Sequence, residues 1–411
     1  MQRYGNLSRC KDCGQLILQQ TYPIQKKFHS TDFLRTLPHL RSRIPWNALV
    51  LRLRSEAIRH ATDYFARYDY VQTHPPIITS SDCEGAGEVF GVNTSLESEQ
   101  KGKKEEDSFF RAQKYLTVSS QLHLEALAQS VGRVWTLSPT FRAEHSDTPR
   151  HLSEFYMLEA ELCFVEDIHQ VMDVVEGLLR AIVTGLQNSA TGIQLLEASS
   201  RKHQDEPAST TSEHLKARWD SISGPAWPRI TYTEAISFLQ DAQNRNLVRF
   251  EHTPQLGNSL QAEHEKFLAE NVRGGCPVFV TDYPRDVKAF YMSPSPTQHH
   301  SHLPTVACFD LLVPEICEIV GGSIREHRLE HLLKAMDAHG LLDSTKKGQS
   351  GNDLVGAVPA ALQWYVDLRR YGSVPHGGFG LGFDRLLCYL SGVSSIRDVV
   401  SFPRWHGRCD C

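Results

Sequence analysis

Leu49, Leu53, Ala57, Ala61 and Phe65 recur every fourth position between residues 47 and 68, with Arg52, Arg54, Glu56 and Arg59 between them. That spacing predicts a helix with one apolar face. Pro75 and Pro76 in VQTHPPII stop it and begin an extended segment. Further on, YLTVSSQ reads as a strand, HLEALAQSV as a helix, and VGRVWTLSPTFRAE and HLSEFYMLEAELCF as strands. The turn residues of HSDTPR join the last two, so 133–164 is predicted to be an antiparallel pair with His151, Ser153, Phe155 and Met157 on one face.

Residues 165–188 carry the next helical pattern. Three stretches, 96–108, 197–226 and 344–353, are polar without a period and are expected to be exposed insertions. Thr233 opens a helix through TEAISFLQDA; VFVTDYP and TVACFDLLVP read as strands; 326–340 and 358–370 read as helices. Hairpins dominate and no regular βαβ rhythm exists. The expected class is therefore α+β, an antiparallel β-sheet flanked by helices.

Composition narrows the picture. With 411 residues, 40% apolar and 22% charged, the chain can bury a large core. It contains no apolar run of about 18 residues, so no membrane span is expected. The net charge of −5 means that any nucleic-acid contact must come from local basic patches. The ten cysteines mostly sit singly in apolar segments (Cys163, Cys276, Cys308, Cys388), as buried thiols do in a reducing compartment. Cys10 and Cys13, with Cys409 and Cys411 at the other end, are read as chain ends in preference to a zinc site, and His299, His300 and His302 as a loop. The first 28 residues hold one acid, Asp12, against five Lys/Arg, an acid-poor start that points to the mitochondrial matrix, with the cytoplasm as alternative.

Three stretches carry chemistry. FRAEHSDTPRHLSEF (141–155) brings Arg142, Glu144, Arg150, His151 and Phe155 within reach of one ligand; guanidinium suits phosphate oxygens and a flat ring suits a purine face. A salt-bridged hairpin surface would explain the same residues. HGGFGLGFDRLL (376–387) offers glycines for close backbone approach and Arg385 in the first turn of a helix, either a phosphate site or tight packing. FDLLVPEICEIVGGSIRE (309–326) holds Asp310 and Glu318, two carboxylates that could carry Mg²⁺ beside phosphates, or an ordinary acidic loop. Together they describe one site for a nucleotide triphosphate.

These stretches, with YPIQKKFHSTDFLR, TSSDCEGAGEVF, TVSSQLHLE and TDYPRDVKAFYM, resemble the class II aminoacyl-tRNA synthetases, and among them the asparaginyl-tRNA synthetases, from about residue 22 to the end. The resemblance implies a class II catalytic fold over 22–411 after a short extension, 1–21. It implies activation of asparagine by ATP with Mg²⁺, transfer to tRNA(Asn), and a homodimer. Arg142 would hold the α-phosphate and Arg385 the γ-phosphate. Phe155 would stack on adenine, with Glu144 near base or substrate, and Arg150 and His151 would approach the outer phosphates. Asp310 and Glu318 would carry the metal. Glu84, Ser119 and Gln121 would recognise the α-amino end of the amino acid, and Arg325 its side chain. Leu124 stands where aspartyl enzymes place a lysine, which favours a neutral amide over a carboxylate.

Some positions depart from the family pattern. Pro75 precedes the motif 1 proline, and Glu315 and Cys317 stand where glycine is usual, so that loop is expected to be reshaped. An OB-fold that reads the anticodon usually precedes this catalytic part; only 21 residues precede YPIQKK, so the sequence is expected to lack it. That expectation keeps two alternatives open: a tRNA-independent asparagine synthetase that activates aspartate, and a non-catalytic paralog that binds tRNA or protein. Lys26, Lys27, Arg41 and Arg43 are candidate tRNA contacts.

Overall fold

The computed structural model describes residues 7–9, 16–18, 22–25, 27–80, 88–93, 109–200, 210–296, 303–345 and 354–411. Within them one eight-stranded sheet organises the chain, in the order Val71–Gln72, Arg133–Phe141, Glu154–Cys163, His376–Gly382, Cys317–Ile324, Cys308–Val313, Val278–Thr281, Arg229–Thr231. The two end strands run parallel to their neighbours. Every interior pair is antiparallel. The expected α+β class with an antiparallel core is what forms.

The helix Pro45–Arg67 starts on a proline, whose missing N–H costs nothing in a first turn. All five residues of its predicted stripe are buried. Phe65 stacks on Trp135 of the sheet with centroids 4.7 Å apart. The helix Ile168–Gln187 is opened by Asp167, whose carboxylate accepts from the His169 N–H at 2.8 Å. It buries Val171, Met172, Val175, Leu178, Leu179, Ile182, Val183 and Leu186, spaced by three and four. Each such side chain is worth about 1.5–3 kcal/mol when fully buried. The two helices pack on one another and on one face of the sheet, leaving the other face for the site. Among the described residues no helix is long and apolar enough to cross a membrane.

Several expectations change. Residues 212–223, inside the stretch read as an exposed insertion, form a helix that buries Leu215, Arg218, Trp219 and Ile222. The Trp219 indole donates to the Leu390 carbonyl at 3.0 Å. The helix predicted from Thr233 begins at Tyr232 and is capped by Thr231, whose hydroxyl accepts from the Glu234 N–H while the Glu234 carboxylate accepts from the Thr231 N–H. His151 and Ser153 precede the strand Glu154–Cys163 and do not share its face. The glycines of 376–382 lie in a central strand. A Cβ on Gly378 would collide with the Glu161 side chain, so close packing explains that glycine.

Arg41, expected to reach tRNA, is buried and donates to the Ser401, Arg397 and Val400 carbonyls. Lys27 and Arg43 are exposed. Lys26, Glu84, Cys10, Cys13, His299, His300, His302 and the 96–108 stretch lie outside the described residues.

Candidate active site

The long hairpin Arg133–Phe141/Glu154–Cys163 and the loop between its strands build the outer cleft. The Arg142 N–H donates to the Ser153 carbonyl at 3.0 Å, closing the loop's neck. The C-terminal segment braces it from outside: Arg397 bonds Asp147 at 2.7 Å, the Ile396 N–H donates to the Pro149 carbonyl, and the Ser153 N–H donates to the Arg404 carbonyl. Arg142, Glu144, Arg150, His151, Phe155, Glu318 and Arg385 line one cleft. The three stretches singled out in the sequence therefore meet.

Inside the cleft Glu144 lies between the Arg142 guanidinium, 3.8 Å away, and the His151 imidazole, 3.5 Å away. The Arg142 guanidinium sits 5.6 Å from the Phe155 ring centroid. Arg385 comes from the first turn of the helix Phe383–Ser391 and donates to the Glu318 carbonyl at 2.9 Å. Burial, helped by Arg385, Arg150 and Arg142, lowers the His151 pKa against the pull of Glu144. The cleft thus presents three guanidinium groups and a neutral imidazole, a surface suited to a polyanion.

A second pocket adjoins the first on its inner side, towards Ser119 and Arg325. Arg142, Met157, Glu318 and Gly380 line both, so Arg142 stands at the junction. Ser119, Gln121, Leu124 and Arg325 line the inner pocket, beside Glu159, Glu161, Lys288 and Tyr291, which the sequence reading missed. Arg325 donates to both Glu161 oxygens at 3.0–3.3 Å and to Ser323 at 2.5 Å. Glu159 accepts from the Ser119 hydroxyl at 2.5 Å and the Ser120 N–H at 2.9 Å. Burial raises the pKa of both glutamates, against Ser119 and Ser120 at Glu159 and against Arg325 at Glu161.

Gln121 donates to Glu125 at 3.1 Å. Glu125 is wholly buried; desolvation would neutralise it, but Arg369 at 2.5 Å and His376 at 3.1 Å overcome that and hold it ionised.

Glu159 and Glu161 follow Phe155 and Met157 at alternate positions, so extending the two-residue period of that strand would have found them. Lys288 ends a 3₁₀ turn and no periodic signal leads to it.

Asp310 and Glu318 come from adjacent antiparallel strands and face the same point. A Cβ on Gly321 would lie 3.3 Å from a Glu318 oxygen and 3.5 Å from an Asp310 oxygen, so the glycine keeps that space open. Lys288 donates to both Asp310 oxygens, at 2.9 and 2.7 Å. Glu265, from the helix Ala262–Asn271, faces the same acids; burial and the Glu318 and Asp310 charges push it up to about 8. Glu315 and Cys317 keep left-handed φ values of 66° and 68°, the conformation glycine would take there without strain. Arg218 pairs with Glu315 at 2.5 Å and Arg150 donates to its carbonyl, which holds that backbone in place.

Known proteins share this fold. The family profile described as tRNA synthetases class II (D, K and N) matches residues 31–406. The chain is 43% identical over 393 residues to the mitochondrial asparagine–tRNA ligase of Saccharomyces cerevisiae, covering 94% of this chain and 74% of that one. It is 41% identical to the asparagine–tRNA ligase of Clostridium tetani, covering 95% and 78%. The asparaginyl-tRNA synthetase of Pyrococcus horikoshii, solved with asparaginyl-adenylate, superposes with a TM-score of 0.74 at 30% identity, over 96% of this chain and 78% of that one. The chain belongs to the class II aminoacyl-tRNA synthetases, in their asparaginyl-tRNA synthetase branch.

Proposed function

We propose that this chain joins asparagine to tRNA(Asn) in two steps at the joined clefts. The carrying observation is Arg142 at the junction, between an outer cleft of cations with Phe155 and an inner pocket with the Arg325–Glu161 pair. ATP lies in the outer cleft, its base on Phe155 and its outer phosphates towards Arg385, His151 and Arg150. Asparagine lies in the inner pocket with its amino end towards Ser119 and Gln121. Its α-carboxylate attacks the α-phosphorus, a new P–O bond forms, and the bond to the β-phosphate oxygen breaks to release pyrophosphate. Arg142 stabilises charge on the reacting phosphate, and no protein nucleophile is required. A ribose hydroxyl of the tRNA terminus then attacks the adenylate carbonyl, and AMP leaves.

Asp310 and Glu318 would hold a magnesium ion, because their two carboxylates converge on the space that Gly321 keeps clear. It would supply positive charge against the phosphate oxygens.

The inner pocket favours an amide. Its guanidinium is already matched by Glu161, and Glu159 adds a second acid. A side-chain carboxylate would face two buried acids, whereas an amide can accept from Arg325 and donate to Glu159. Leu124, 1% exposed, adds no cation. Activation of aspartate by a tRNA-independent synthetase is the second reading, and this charge balance disfavours it.

Two copies are proposed to pair through the sheet edge. Val71 lies on the end strand, and Tyr68, Val131 and Phe164, beside the neighbouring strands, are exposed with it. The mitochondrial matrix is the proposed compartment; relatives include mitochondrial enzymes of two yeasts and bacterial enzymes. Charging of tRNA(Asn) transcripts with labelled amino acids by the purified chain tests the whole reading. Label is expected to appear with asparagine; charging with aspartate, or none, would contradict it.

A further inference from the structure

Lys288 is a cation at the place where the reading above puts a metal. Its ammonium donates to both oxygens of Asp310 and sits 4.0 Å from the centroid of the Tyr283 ring. Neither partner is freely solvated, with side-chain exposures of 19% and 13%. The contact is two-pronged and close, so Asp310 already has a counter-charge within the protein itself.

An ammonium and a divalent ion cannot share one carboxylate at close range without strong repulsion. A metal that ligates Asp310 must displace Lys288, and Glu318 alone offers it a single side chain. Among the described residues no group of three or more His, Cys, Asp or Glu is arranged to hold a metal, so protein ligands alone do not complete a site. The balance changes when a triphosphate arrives, because its oxygens supply both ligands and negative charge. Lys288 lines the same inner pocket as Arg142, so the displaced ammonium has reacting phosphate and substrate carboxylate oxygens to turn to.

We infer that Lys288 is the counter-cation of Asp310 in the free enzyme, surrendered only when nucleotide accompanies the metal, so that the site takes up the two together. This rests on the assignment of Asp310 and Glu318 as the magnesium ligands. It adds a residue whose function is to keep the pair from collecting divalent ions without substrate.

The test is Mn²⁺ titration of the full chain without nucleotide, followed by electron paramagnetic resonance of the free ion. Lys288→Gln, whose amide can still donate to Asp310, is expected to bind Mn²⁺ about 10-fold tighter than the unaltered chain, within the usual range for coupled sites. Lys288→Arg, which keeps the charge, is expected to stay weak, and adding Glu318→Gln to Lys288→Gln is expected to abolish the gain. Lys288→Met serves as a second neutral variant if melting shows Lys288→Gln to be unfolded. No gain in either neutral variant would overturn the inference. Repeating the titration with a non-hydrolysable ATP analogue separates the two claims. If Glu318→Gln weakens Mn²⁺ binding there while the neutral variants gain nothing without nucleotide, only the role of Lys288 fails. If Glu318→Gln has no effect there, the metal assignment fails and the inference falls with it.

Discussion

Glu159 is the side chain on which the choice between amide and carboxylate turns. It is 2% exposed, keeps its place by accepting from Ser119 and Ser120, and lies beside an arginine already matched by Glu161. Glu159→Gln keeps the shape and removes the acceptor charge. It should lower kcat/KM for asparagine by about 10- to 100-fold, the value of one or two charged hydrogen bonds. It should also narrow the gap to aspartate; pyrophosphate exchange with each amino acid reads both effects. His151 makes a prediction with a sign. Burial and the three arginines depress its pKa, and phosphate charge opposes them, so the nucleotide-bound state holds more protons in the window below the usual histidine value of about 6.5. ATP affinity should therefore rise as pH falls through that window, with proton uptake. Calorimetry in two buffers of different ionisation heat would detect it, and His151→Gln should remove it.

At this scale the sequence made the outer cleft legible, because two of its three arginines and its phenylalanine are crowded into fifteen positions. It hid the inner pocket. Acids inside an apolar strand, as in LEAELC, look like a solvent face until the strand's period is extended, and Lys288 reaches Asp310 across 22 positions of chain.

At the scale of elements, the site depends on how three pieces lock together. Arg54, on the long helix Pro45–Arg67, donates to Asp384 at 2.5 Å, and the same carboxylate accepts from the Tyr156 N–H at 2.8 Å. Asp384 directly precedes Arg385, so one buried carboxylate ties that helix, the hairpin and the helix Phe383–Ser391 together at the point where Arg385 is aimed. Arg54→Lys keeps a cation but loses the planar fork. It is expected to raise KM for ATP roughly 10-fold, with the asparagine KM nearly unchanged, because it acts through Arg385. The helix Ser212–Ser223 supports the same region from behind. Trp219→Ala should cost about 3–5 kcal/mol of stability, measured by denaturant melts.

Long periodic elements, such as Pro45–Arg67 and Ile168–Gln187, were readable because burial wrote a regular stripe into them. The helix around Trp219 was not. It is short, its four buried residues include an arginine, and the polar residues before it masked the stripe. Glu315 and Cys317 looked like a break in the pattern, yet tertiary contacts hold them in the conformation that glycine would adopt.

For the whole molecule, the sheet separates a packed helical face from the catalytic face and ends in a strand whose outer side carries exposed Val71. If two copies meet there, Val71→Arg should shift the chain from dimer to monomer in sedimentation, while leaving the fold intact by circular dichroism. The fold class was legible because hairpins, once recognised, allow few arrangements. Pairing between copies leaves little trace in one sequence.

The most direct test of the central claim is amino-acid-dependent exchange of pyrophosphate into ATP with magnesium present. It isolates adenylate formation from any requirement for tRNA. Exchange is expected with asparagine and little with aspartate, and it is expected to be lost in Arg142→Ala. Exchange with aspartate but not asparagine would contradict that claim.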